Sequence, residues 1–98
     1  MGLAGAGAAH EAAIQLEVLA RELAERNFET RVAYVGDTAN LSVVNIAVPS
    51  LRETVTVAPA DDGVWWFWWS WGDRIARIAD AGTAAFKVAY VLIPQATD

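Results

Sequence analysis

The 98-residue chain contains no cysteine, one histidine, one lysine and three prolines. Without cysteine there is neither a disulfide nor a thiolate metal ligand, and redox chemistry says nothing about compartment. The single histidine, His10, excludes multi-histidine metal sites within one chain, and a Ser-His-Asp triad unless His10 itself serves. It falls at the start of the first helical pattern, where a solvated role is expected. The only lysine, Lys87, would have to be desolvated to form a Schiff base, whereas its surroundings place it on the outer side of the last helix. There is no basic stretch, and a net charge of −5 with a pI near 4.6 opposes non-specific nucleic-acid binding. No apolar run approaches the ~18 residues of a membrane span, since Val64 to Trp69 is far too short. The opening MGLAGAGAA lacks the basic and continuously apolar regions of a secretory signal. A cytoplasmic protein free of membrane and nucleic acid is the expectation.

What is present is apolar. Hydrophobic residues make up 55% and charged residues 19%, a composition that folds and leaves apolar surface over for association. The length accommodates one core, so residues 10–98 are expected to form a single α+β domain behind a frayed, flexible segment at 1–9. Six arginines against one lysine, with many alanines and valines, fit a high-GC bacterial genome.

Leu16, Leu19, Ala20 and Leu23 recur at helical spacing from about His10 to Asn27, and Glu17 with Arg21 and Glu22 with Arg26 form i,i+4 pairs. From Phe28 the period becomes two: Phe28, Thr30, Val32 and Tyr34 alternate with Glu29, Arg31, Ala33 and Val35. A turn over Gly36 to Asn40 leads to a second strand at Leu41 to Val48, and Pro49-Ser50 separates it from a third at Arg52 to Ala58. Pro59 to Gly63 ends in Asp-Gly, so Val64 to Trp71 is expected to pair back on the third strand. Asp73 to Ala79 fits neither period and reads as coil with some strand. Asp80 as N-cap and Pro94 as terminator bound the last helix, with Ala81, Ala85, Val88 and Leu92 on one stripe. The order α-β-β-β-β-α predicts a four-stranded antiparallel sheet with both helices on one face.

The distinctive segment is Val64-Trp65-Trp66-Phe67-Trp68-Trp69-Ser70-Trp71. In a strand, Trp65, Phe67, Trp69 and Trp71 share one face and Trp66, Trp68 and Ser70 the other. Each aromatic buries roughly 150–250 Å², so the first face amounts to about 800 Å², too much to expose, and is assigned to the core. Trp66 and Trp68 then hold about 400 Å² on the open face, a size that marks a partner site unless loops, tails or a side chain such as Arg31 cover the rings.

Other candidates have plainer readings. Asp61-Asp62 is explained by turn chemistry before acid/base work. Asp73 and Arg74 form either a local ion pair fixing a bend at Gly72 or the border of a binding surface. Gly2, Gly5 and Gly7 are not a phosphate loop, because no strand precedes them and no Gly-Lys-Ser/Thr end follows. Membrane-surface binding is disfavoured by Asp61, Asp62 and Asp73 beside the indoles.

The segment Trp69-Ser70-Trp71-Gly72-Asp73-Arg74-Ile75, followed by an acidic residue and an Ala-rich helix, resembles a signature of small uncharacterised actinobacterial proteins. Asn45, Pro49 and Glu53-Thr54-Val55 add to the resemblance, which implies a fold and a lineage but no activity. In topology alone the chain resembles secretion-chaperone-type domains. With no catalytic residues, metal ligands or cofactor motif apparent, the expectation is a non-enzymatic interaction or assembly module. It would use Trp66, Trp68, Ser70, Asp73 and Arg74 to bind itself as a homodimer or another protein. The alternative is a small-molecule or carbohydrate binder using the same two rings.

Overall fold

The computed structural model describes the backbone of residues 4–94 and the side chains of residues 10–94. The segment 1–9 expected to be frayed and flexible falls partly outside the described residues, which begin at residue 4. Helix α1 spans Ala4–Ala24 and so begins ahead of His10. It buries Leu16, Leu19 and Leu23 completely, with Ala12, Ala13 and Ala20 beside them. Asn27 ends the helical turn with φ 71°, a left-handed conformation that asparagine tolerates better than most side chains, and the chain leaves directly into a strand.

Strands β1 (Phe28–Val35), β2 (Thr38–Asn45), β3 (Arg52–Pro59), β4 (Trp65–Trp69) and β5 (Arg74–Arg77) form one antiparallel meander in sequence order. A short 3₁₀ turn (Ile78–Asp80) then leads into α2 (Ala81–Val91). The chain is therefore α+β as expected, but with five strands, not four. The fifth escapes a periodic reading because it carries a β-bulge. Phe67 pairs with Ala76 and Trp68 with Arg74, which leaves Ile75 without an opposite residue. Ile75 and Ala76, neighbours in sequence, are consequently both buried, and strand alternation is lost.

Strand boundaries also move, and β2 ends at Asn45 and not at Val48, because the Asn45 side chain turns the backbone at Ala47 and Val48. Gly36 (φ 62°) and Asp37 suffice as a hairpin loop with glycine at its first central position, so Val35 pairs with Thr38 and β2 starts before Leu41. β4 ends at Trp69 because the chain turns there, as described below.

α1 packs over β1, β2 and β3, and α2 lies against β5 and α1. One continuous core joins both helices to a single face of the sheet, including Leu41, Val43, Val55, Phe67 and Val88, all without solvent exposure. Ala84 and Ala85 of α2 are also fully buried. Their small side chains allow α2 to pack closely on β5 and α1. Asp80 occupies the N-cap of α2 without a side-chain capping bond. Lys87 is exposed on α2, as expected, and its Nζ donates to the carbonyl of Ile75 at 2.8 Å, which ties α2 to the bulged residue.

The buried polar residue is Asn45. Its Nδ2 donates to the Leu92 carbonyl at 2.8 Å, and its Oδ1 accepts from the backbone N–H groups of Ala47 (2.9 Å) and Val48 (3.0 Å). One amide thus shapes the β2–β3 connection and anchors the C-terminal end of α2. An Asn45→Ala variant loses all three bonds and strands the buried Leu92 carbonyl, so denaturant unfolding should show a destabilisation of roughly 2–3 kcal/mol.

Candidate functional site on the open sheet face

The face opposite the helices is built by strand alternation. Because Phe67 and Trp69 are buried in the core, Trp66 and Trp68 point outward, where both are half-buried. Cross-strand register places Ala33, Asn40, Thr56, Trp68 and Arg74 in one row across the sheet. Ala58, Trp66 and Arg77 form the next row. Arg31, Ser42 and Thr54 form a row on the other side of Trp68, followed by Glu29, Val44 and Arg52.

Trp66 is covered by arginines, though not by Arg31, which lies on β1 with two strands between it and β4. The guanidinium carbon of Arg74 lies 4.8 Å from the Trp66 ring centroid and that of Arg77 lies 5.7 Å away. Cations at these distances are attracted to the ring face by about 0.5–1 kcal/mol each. Arg74 reaches this position because it sits opposite Trp68, and Arg77 because it sits opposite Trp66. Neither guanidinium has a carboxylate or carbonyl partner among the described residues. Trp66 Nε1 is buried without an acceptor, whereas Trp68 Nε1 donates to the Ala58 carbonyl at 2.9 Å.

Ser70 and Asp73 lie in the β4–β5 turn at the margin of this face. The Trp69 N–H donates to the Asp73 carbonyl (2.8 Å) and the Gly72 N–H to the Trp69 carbonyl (3.0 Å), which closes a three-residue loop with Gly72 at φ 98°. Trp71 therefore belongs to the turn and not to the core. It is 53% exposed, and its ring stacks on Trp69 at 4.7 Å with an interplanar angle of 8°. Its Nε1 donates to Asp73 Oδ2 at 2.8 Å. That bond, in place of the anticipated ion pair with Arg74, engages the Asp73 carboxylate. Ser70 Oγ donates to Glu53 Oε1 at 3.3 Å. The segment Trp69 to Ile75 is thus a complete hairpin turn running into a bulge.

Of the five anticipated site residues, Trp66, Trp68 and Arg74 share the open face and Ser70 and Asp73 stand beside it. Sequence reasoning missed Arg77, because the bulge hides which side of β5 it occupies. The electrostatics of the face were missed too. Four of the six arginines (Arg31, Arg52, Arg74 and Arg77) lie on it, while Glu29 is the only carboxylate within its rows. Asp61 and Asp62 stand at its rim and, with Ala60, Trp68 and Arg74, line a hollow beside the Trp68 ring. Asp62 Oδ1 accepts from the Val64 N–H at 3.0 Å, as its turn position requires. His10 is exposed on α1, and no group of three or more His, Asp or Glu side chains is arranged to hold a metal among the described residues. No helix is long and apolar enough to cross a membrane among the described residues.

No protein-family model matches the chain, and no curated protein or solved structure matches it.

The conformation of Gly72 suits glycine alone, although a Cβ there would meet no atom within 4 Å. Gly72→Ala should therefore lower stability by about 1 kcal/mol or more through backbone strain. Gly82→Ala, inside α2 with the same open space but no positive φ, should raise it by roughly 0.5–1 kcal/mol. Paired chemical-denaturation curves of the two variants separate these opposite signs.

Proposed function

We propose that the chain is a non-enzymatic protein-interaction module of adaptor or chaperone type, whose open sheet face docks an acidic segment of a partner protein. The observation that carries this reading is the pair Arg74 and Arg77. Both guanidinium groups lie over Trp66, yet neither donates to a carboxylate or carbonyl among the described residues. A guanidinium packed on an indole keeps its in-plane N–H donors directed outward, and carboxylates are their best geometric match. Thr54, Thr56 and Ser42 extend the face as neutral hydrogen-bonding ground, and the half-buried Trp68 supplies apolar contact.

Charge complementarity favours an acidic partner for a further reason. The chain is net negative, and Glu11, Glu17 and Glu22 lie on α1, with Glu25 in the turn that follows it, away from this face. An acidic segment is repelled by most of the surface and attracted to one face, which orients docking as well as strengthening it.

A second reading follows from the hollow lined by Trp68, Asp61, Asp62 and Arg74: a carbohydrate or other small polar ligand stacked on the Trp68 ring.

Fluorescence anisotropy with labelled acidic peptides containing one or two aliphatic residues, and with charge-inverted controls, tests the principal reading. Acidic peptides should bind, weaken as salt rises, and lose roughly tenfold or more in affinity with Arg74→Glu and Arg77→Glu combined. Equal binding of acidic and basic peptides would overturn it. Saturable quenching of tryptophan emission by neutral oligosaccharides, abolished by Asp61→Ala with Asp62→Ala, would favour the second reading instead.

A further inference from the structure

The two edges of the sheet are constructed differently. β5 is four residues long and bulged, both of which discourage another strand from adding to it. β1 is eight residues long and pairs with β2 in unbroken register from Phe28 opposite Asn45 to Val35 opposite Thr38. It contains no proline, lysine or bulge, and its far side pairs with no strand among the described residues. A long, regular, unguarded edge presents a row of backbone donors and acceptors that templates strand addition.

The charges on β1 identify what would add. Glu29 and Arg31 are exposed, have opposite sign, stand two residues apart and project from the same face. When two β1 strands run antiparallel about a two-fold axis at Thr30, Glu29 of each copy lies opposite Arg31 of the other. Phe28 lies opposite Val32 on the helix-covered side, and Val32 is only half-buried in the single chain. An isologous contact requires this self-complementarity, and directly opposed unlike charges are favourable cross-strand pairs.

We infer that β1 is a self-complementary edge on which a second copy of this chain docks, joining two five-stranded sheets edge to edge through paired Glu29–Arg31 contacts. The inference stands independently of the arginine-framed docking face, because Arg74 and Arg77 belong to the opposite edge of the sheet.

Sedimentation velocity of the full chain, from low micromolar to several hundred micromolar, reads the association directly. The wild type should show a concentration-dependent monomer–dimer equilibrium. Glu29→Arg or Arg31→Glu alone opposes like charges twice across the two-fold axis and should raise the dimer Kd roughly tenfold or more. The combined Glu29→Arg and Arg31→Glu variant restores unlike pairs and should return the Kd to within about threefold of wild type. Both positions are exposed, and far-UV circular dichroism verifies that each variant is folded. A wild type that stays monomeric throughout overturns the inference. So does a dimer indifferent to either single reversal, and so does a folded double variant that fails to recover.

Discussion

The inward burial of Phe67 and Trp69 is the constraint from which the rest of this structure follows. These rings occupy the space between the sheet and its two helices, where Phe67 has no solvent exposure at all. Burial of aromatic area on this scale is the largest driving force available to so short a chain. Once the inner face of β4 is fixed in this way, alternation forces Trp66 and Trp68 outward, whatever the solvation cost. The alanines of α2 serve the same core, because larger side chains at the fully buried Ala84 and Ala85 would hold α2 away from β5 and α1.

The outward indoles then need cover, and the strand that supplies it is irregular. The bulge at Ile75 lets β5 bury Ile75 and Ala76 together while returning Arg74 and Arg77 to the open face opposite Trp68 and Trp66. A regular strand would place only alternate residues inward and could not meet both demands. The bulge is held from the helix side by Lys87, whose ammonium binds the Ile75 carbonyl. A core irregularity and a surface cluster of cations are therefore one structural event. The arginines that shield Trp66 are also the groups best placed to engage an anion.

Charge in this chain is segregated and not merely deficient. A formal count of −5 suggests a uniformly acidic surface, yet the cations collect on the open sheet face and many of the anions on α1 and the turns. Composition reports a sum, whereas recognition responds to the local field. Asn45 works by comparable economy within the fold, since one side-chain amide bonds two elements that share no strand pairing. Nothing in its local sequence distinguishes it from an ordinary polar residue at the end of a strand.

The sequence by itself determined the α+β class, both helices, the inward facing of Phe67 and Trp69, and the outward facing of Trp66 and Trp68. Each rests on local periodicity and on turn residues whose backbone preferences act over a few positions. Tertiary structure alone decided the fifth strand, the exposure of Trp71, the partnership of Trp66 with Arg74 and Arg77, and the three-way bonding of Asn45. The bulge breaks the period that would have revealed β5. The Trp69–Asp73 turn removes Trp71 from the strand to which its alternation assigned it. The remaining contacts join residues brought close only by strand pairing and helix packing. Such proximity is set by the global minimum of burial and hydrogen bonding, so no local pattern encodes it.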